Sequence, residues 1–312
     1  MSASFASALN AAREAAASQH YPQGTLYVVA TPIGNLADLS LRALHVLQLV
    51  DAVACEDTRH TQALLRAYGI ERPGSQLLAV HQHNEAEAAQ QVIARLRNGE
   101  RIAYASDAGT PAVSDPGARL VQAVQAAGLR AVPLPGASAV TALLSVAGVV
   151  TQAAQPAGFA FVGFLPNKAG ERAQAVQQLA LEPRAVVLLE APHRIEDLAR
   201  ALAMLGPRPV TLGRELTKQF EEVATLPAAQ LEAWLAAESS RTRGEFAVLI
   251  HPPESRPEDD GEGRRVLQLL LAELPVKSAS RLAAEITGQP KNALYQLALQ
   301  LKRDQEADGA DD

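Results

Sequence analysis

Arg101-Ile102-Ala103-Tyr104-Ala105-Ser106-Asp107-Ala108-Gly109-Thr110-Pro111-Ala112-Val113-Ser114-Asp115-Pro116-Gly117 reads as a short strand, Arg101 to Ser106, running straight into a loop with two aspartates, two glycines and two prolines. Glycine lets backbone approach a ligand closely, proline restricts φ, and carboxylates accept hydrogen bonds from amino or hydroxyl groups. Turn and N-cap chemistry at Ser114 or Asp115 is the plain alternative. The loop's length and its place after a strand favour function, because doubly wound sheets bind ligands outside the carboxyl ends of their strands.

Working outward, apolar runs alternate with amphipathic stretches, the pattern of βα units on a largely parallel sheet. Strands are expected at Thr25 to Ala30, Ala52 to Glu56, Leu77 to Val80, Arg101 to Ser106 and Arg130 to Pro133, with helices near 39–49, 61–68, 85–96, 118–127 and 138–147. A second series follows the unpatterned link Val149 to Gly158: strands near Phe159 to Phe164, Ala185 to Glu190, Val210 to Arg214, Glu222 to Leu226 and Phe246 to His251 alternate with helices near 172–181, 195–205 and 228–237. Three short amphipathic helices close the chain, the middle one ending at Gly288. The chain is expected to divide into a loosely ordered extension (1–23), a first α/β domain (24–148), a second α/β or α+β domain (149–253), a Pro- and acid-rich linker (254–263), a small helical domain (264–303) and an acidic, disordered tail (304–312).

Composition narrows the function. A 48% hydrophobic fraction against 20% charged residues suits a folded globular chain. No apolar run approaches the roughly 18 residues that cross a bilayer, and the start lacks a signal-peptide pattern. The lone Cys55 excludes a disulfide framework and any multi-cysteine metal site, so a cytoplasmic protein without a metal is expected. A net charge of −6 argues against general nucleic-acid coating, yet Arg264 to Arg303 carries seven basic residues against two acidic ones.

Other loops share the expected edge. Thr31-Pro32-Ile33-Gly34-Asn35 is no G-x-G-x-x-G, which disfavours a dinucleotide. Pro133 to Ser138 completes a wall. Glu56-Asp57-Thr58-Arg59 puts two carboxylates and a guanidinium there, to orient a substrate or to form a structural ion pair. His81 and His83 alternate across a strand end and are read as structural or solvent-facing.

The set VATPIGNLADLSLRAL, CEDTRHTQALL, SDAGTPAVSDPG, PLPGASA, GFLP, APHR and GRELTK-FEE resembles the 16S ribosomal RNA (cytidine-2′-O)-methyltransferase family, of the tetrapyrrole-methylase-like class. The resemblance runs from Gly24 to about Pro253, and the basic helical end is similar to that family's C-terminal domain. It implies a two-domain methylase fold with S-adenosylmethionine in the cleft between domains, a homodimer, and 16S rRNA or the small ribosomal subunit as partner. Carried over by position, the cofactor pocket comprises Gly109, Thr110, Pro111 and Val113 beside the methionine part and ribose, with Asp107, Ser138 and Ala139 close by. Pro32 and Gly34 join it on the substrate side, and Phe164, Leu165, Glu190 and Ala191 enclose the adenosine. The first loop departs from the tetrapyrrole enzymes, where it is usually glycine-rich with an aspartate, and this favours the RNA branch over a tetrapyrrole substrate. A non-enzymatic RNA-binding factor is the other rival, and the dense polar loop speaks against it.

Base candidates stay open among Glu56, Asp57, His81, His83, Asp107 and Lys218, with Lys218, Asp57 and Glu56 carried forward as catalytic. Lys218 either contacts RNA phosphate or, if desolvated, acts as base. Arg59, Arg194, Arg281, Lys291, Lys302 and Arg303 are the expected RNA contacts.

Overall fold

The computed structural model describes residues 6–81, 84–115, 117–150, 158–253 and 260–308. Five strands, β1 (Thr25–Val29), β2 (Ala52–Cys55), β3 (Leu77–Ala79), β4 (Ile102–Ala105) and β5 (Arg130–Leu134), pair in the order β3-β2-β4-β1-β5, all parallel. Alternate residues face opposite sides of such a sheet. Accordingly Tyr27, Val53, Ala103 and Ala105 join one core with the helices Leu41–Leu49 and Thr58–Ala67, while Leu26, Ala54, Ile102 and Tyr104 join another with Glu85–Arg97 and Gly117–Ala126. Both faces are covered, which is why these strands read as unbroken apolar runs.

The second sheet contains β6 (Phe159–Gly163), β7 (Ala185–Glu190), β8 (Pro209–Arg214), β9 (Glu222–Pro227) and β10 (Phe246–Ile250) in the order β6-β7-β10-β8-β9. Only β6 and β7 are parallel; β10 runs antiparallel to both its neighbours. One face packs on Val176 and the helix Ile195–Leu202. The other packs on Val140, Leu143 and Ala147, so the helix Ala139–Val146 that leaves β5 covers the second sheet rather than the first. That shared helix joins the two lobes into one compact unit reaching Pro252.

Three expectations need correction. The extension forms a helix, Ala6–Ala16, whose Ala12 is fully buried in the first core and whose Ala16 carbonyl accepts a 3.0 Å hydrogen bond from the Tyr21 hydroxyl. Its apolar stripe is made of alanines and Leu9, small side chains that allow close helix packing and give a weak periodic signal. The linker is shorter than expected, because the helix Asp260–Leu271 begins inside it, acidic residue types being favoured in a helix's first turn. The acidic tail is helical as far as Asp308, since Gln, Glu and Ala continue a helix readily. Residues 1–5, most of the interdomain link (151–157), 254–259, 309–312 and His83 lie outside the described residues.

The second compact unit is the C-terminal bundle. Asp260–Leu271, Val276–Thr287 and Lys291–Asp308 bury Leu267, Ala279, Ala283, Leu294, Ala298 and Leu301 among themselves. Gly288, at φ 72°, caps the middle helix through its N–H to the Ala284 carbonyl.

Candidate functional site

β1 and β4 are neighbours whose chains leave toward opposite faces, so a crevice opens at their carboxyl ends. Thr31 and Gly109 bridge it with two backbone hydrogen bonds of 2.9 and 3.1 Å, and the Thr31 hydroxyl donates to the Ser106 carbonyl at 3.1 Å. Gly109 sits at φ 83°, which its lack of a side chain permits. Beyond it the loop folds around Asp115: both its oxygens accept from the Ala112 N–H at 2.9 Å, Oδ1 accepts from the Gly117 N–H at 2.8 Å, and the Tyr104 hydroxyl lies 3.3 Å away. Gly117 is obligatory, because a Cβ there would overlap the Tyr104 ring.

A cavity of about 450 Å³ lies between this loop and the second lobe. Glu56, Asp107 and Asp115 bring three carboxylates to its first wall. Glu56 Oε1 accepts from the Asp107 N–H at 3.2 Å, and Asp107 Oδ1 accepts from the Asp57 N–H at 3.3 Å. Burial pushes the Glu56 carboxyl above the ordinary glutamate value; the Asp107 N–H opposes that, and the charges of Asp115 and Asp107 add to it. Among the described residues no group of three His, Cys, Asp or Glu side chains is placed to hold a metal ion.

The second wall starts at the end of β7. Glu190 is fully buried, accepts from the Ala191 N–H at 2.9 Å and lies 3.1 Å from the Arg194 guanidinium. Its Oε2 finds no partner among the described residues. Phe246, the first residue of β10, pairs with Glu190, which brings Glu245 to the same edge. Glu245 is paired in turn with the Lys218 ammonium at 3.1 Å. Each carboxylate of this wall is thus ion-paired, Lys218 being shared with Glu215, whereas Glu56, Asp107 and Asp115 form no ion pair among the described residues.

Ten of the expected residues line the cavity: Glu56, Asp107, Gly109, Thr110, Val113, Ser138 and Ala139 from the first lobe, and Phe164, Glu190 and Ala191 from the second. Four do not. Pro32 and Pro111 are buried behind their loops, Leu165 belongs to the second core, and Gly34 lies under the Lys218 stem, where a Cβ would overlap Lys218 Cγ.

The remaining candidate residues fall outside the cavity too. Asp57 caps the helix Thr58–Ala67 and holds Arg59; that hydrogen bond keeps its carboxyl below the usual range, which suits it poorly to take a proton. Burial alone would lower the Lys218 ammonium, but hydrogen bonds to Glu215 at 2.7 Å and to Glu245 hold it above the ordinary lysine value, so it stands as a cation and not a base. Arg194 is spent inside the protein on Glu190 and the Leu165 carbonyl, which removes it from the phosphate contacts. Arg59 is exposed on the surface. Lys291 and Lys302 are exposed on the bundle, Arg281 pairs there with Glu285, and the Arg303 side chain lies outside the described residues.

Glu245, Phe246 and Leu216 are wall residues that no local sequence signal marks. Glu245 precedes a strand instead of following one, and only the antiparallel direction of β10 brings that start to the ligand edge.

Residues 25–232, which make up most of this two-lobed α/β core, match the tetrapyrrole (corrin/porphyrin) methylase family. The fold is shared with a cobalt precorrin-4 methyltransferase (TM-score 0.51, 17% identity, 75% of this chain and 98% of that one) and with the methyltransferase CobJ (TM-score 0.52, 18% identity, 75% and 96%).

Within that class the relatives are specific. The chain is 51% identical over 282 residues to the ribosomal RNA small subunit methyltransferase I of Pseudomonas aeruginosa, covering 89% of this chain and 97% of that protein. The identity is 46% to the Escherichia coli O157:H7 protein of the same name, over 89% and 96%. Residues 257–302 match the RsmI C-terminal HTH domain. The chain belongs to the ribosomal RNA small subunit methyltransferase I family.

Proposed function

We propose that this protein uses S-adenosylmethionine to methylate the ribose 2′-oxygen of a cytidine in the 16S rRNA of the small ribosomal subunit, in the cytoplasm. The observation that carries the cofactor part is the unmatched charge of Glu56, Asp107 and Asp115 in a cleft whose opposite wall is neutralised and partly apolar. A ligand that carries a sulfonium and an ammonium toward one end and a flat, largely neutral nucleoside at the other fits that polarity.

When bound, S-adenosylmethionine supplies a methyl carbon on a sulfonium leaving group, so a C–O bond forms as the S–C bond breaks with its electron pair left on sulfur, and the hydroxyl proton departs. The chain's own work is chiefly alignment, which is worth roughly 7–11 kcal/mol in favourable cases. Asp107, Asp115 and the backbone at Gly109 and Thr110 hold the amino-acid end, with Val113, Ser138 and Ala139 beside it. Phe164, Glu190 and Ala191 cover the nucleoside, and Glu190 Oε2 has an open acceptor position for a hydroxyl or amino hydrogen. Glu56 receives the proton: its raised carboxyl holds one more readily than Asp57, and Lys218 already carries its own.

Arg59 then serves as a cation near the incoming RNA, while Lys218 stays committed to Glu215 and Glu245, and Arg281, Lys291, Lys302 and Arg303 of the bundle add affinity. For the homodimer the support is exposed apolar surface at Val146, Val150, Phe159 and Val162 that a second copy would cover. The test is to incubate the protein with methyl-labelled cofactor and small ribosomal subunits and map the label. A 2′-O-methyl cytidine is the expected product; label on a base, or none, contradicts the reading.

A further inference from the structure

A second cavity, of about 390 Å³, adjoins the first, and Ile33 and Ser138 belong to the walls of both. The rest of its lining includes Asp38, Thr141 and Thr217 and contains no lysine or arginine. It suits a neutral, hydroxyl-bearing group; a phosphate would meet only a carboxylate and hydroxyls.

Thr217 stands out in this wall for two independent reasons. Its φ is 68°, in the left-handed region that a β-branched residue disfavours. Its Oγ1 is buried and finds no hydrogen-bond partner among the described residues. A strained backbone and an unmatched hydroxyl both cost free energy, and they persist only where the surroundings enforce them.

The enforcement is visible on both sides of the residue. The Thr217 N–H donates to Glu221 Oε2 at 2.5 Å, and the Lys218 N–H donates to the Glu215 carbonyl at 3.0 Å. The Lys218 ammonium is tied to Glu215 and Glu245 while its stem lies over Gly34 of the first lobe. Lys218 therefore works as the clamp of this loop, and it fixes Thr217 in the cavity wall.

We infer that the second cavity receives the acceptor ribonucleoside and that Thr217 Oγ1 hydrogen-bonds its ribose, turning the 2′-hydroxyl toward the cofactor cleft. This rests on the proposed function, since it names where that substrate's reacting nucleoside sits. Ile33 and Ser138 line both cavities, so the two spaces meet at these residues, and a hydroxyl turned past them faces the cofactor cleft directly. Asp38 accepts from a second hydroxyl or an amino group, and the phosphates stay outside, toward solvent.

The experiment compares Thr217→Val, Thr217→Ser and Thr217→Gly in the full-length protein. It measures methylation of small ribosomal subunits, cofactor affinity by calorimetry, and thermal unfolding. Valine keeps the shape and removes the hydroxyl, so kcat/KM for subunits is expected to fall about tenfold to a hundredfold while cofactor affinity stays within about twofold. Serine restores the rate to within about threefold of wild type. Glycine relieves the left-handed strain, so that variant unfolds at a higher temperature and yet methylates no faster than the valine one. A valine variant with the wild-type rate, or one whose cofactor affinity falls in step with rate, overturns the inference and leaves the methyltransferase reading standing. Wild-type protein that binds the cofactor but leaves subunits unlabelled overturns the methyltransferase reading and this inference with it.

Discussion

Around Glu56, Asp107 and Asp115 the first lobe ends a set of parallel strands at one edge; around Glu190 and Glu245 the second lobe brings an outgoing strand and an incoming one to that edge. The consequence is chemical. Parallel strands deliver their loops in sequence, and here those loops carry carboxylates with no cation among the lining residues. The antiparallel pair sets a strand end beside a strand start, and each of its carboxylates is ion-paired with Arg194 or Lys218. In the proposed reading one wall recognises charge and the other covers a nucleoside, so perturbing the two walls should have unequal effects.

The largest effect is expected from Gly117→Val. Its Cβ would collide with the Tyr104 ring, which is wholly buried and has nowhere to move, so the Asp115 loop must shift. Calorimetry should show cofactor affinity reduced at least about a hundredfold, and thermal unfolding a destabilisation of about 1–3 kcal/mol. Next comes Glu56→Gln, expected to lower kcat about a hundredfold and cofactor affinity much less, since Asp107 and Asp115 keep their charge in the same wall. If affinity fell and kcat did not, Glu56 would belong to the ammonium site instead of the proton path.

Phe164→Ala trims the opposite wall, and about tenfold in cofactor affinity is expected from the apolar area removed. Were it to match Gly117→Val, the contrast between the walls would fail. Neutralising Lys291 and Lys302 together should leave cofactor affinity intact and flatten the salt dependence of RNA binding by about one unit of slope for each phosphate left without its cation.

The smallest effect is on stability. Because the folded-state carboxyl of Glu56 is raised above the unfolded value of 4.5, it favours the fold while protonated and gives up that contribution as pH rises through the raised value. Wild type should therefore lose stability relative to Glu56→Gln as pH climbs from 4.5 upward, measured by denaturant unfolding at each pH.

Much of the first lobe was legible because its signals are local. Apolar runs of strand length, glycine-punctuated loops and the rule that ligands gather at carboxyl ends suffice to select the loops that hold Asp107, Gly109 and Ser138, whereas the individual residues came with the family resemblance. The second lobe was less so. Strand direction is set by long-range pairing, which leaves no local trace in the residues around Glu245. The Arg194–Glu190 and Lys218–Glu245 pairs join separate elements or depend on a turn's geometry, so cations that look available in the sequence turn out to be committed. Pro32 and Pro111 show a subtler limit: a motif residue can be buried beside a loop without lining the cavity. At the N-terminus, alanines bury as effectively as leucines where two helices approach closely, and an apolarity pattern undervalues them.

A crystal of the protein with S-adenosylhomocysteine tests the central claim most directly. The amino-acid end is expected against Asp107 to Asp115 and the adenosine under Phe164, Glu190 and Ala191. Density for the ligand outside this cleft, or with its two ends exchanged between the walls, would contradict it.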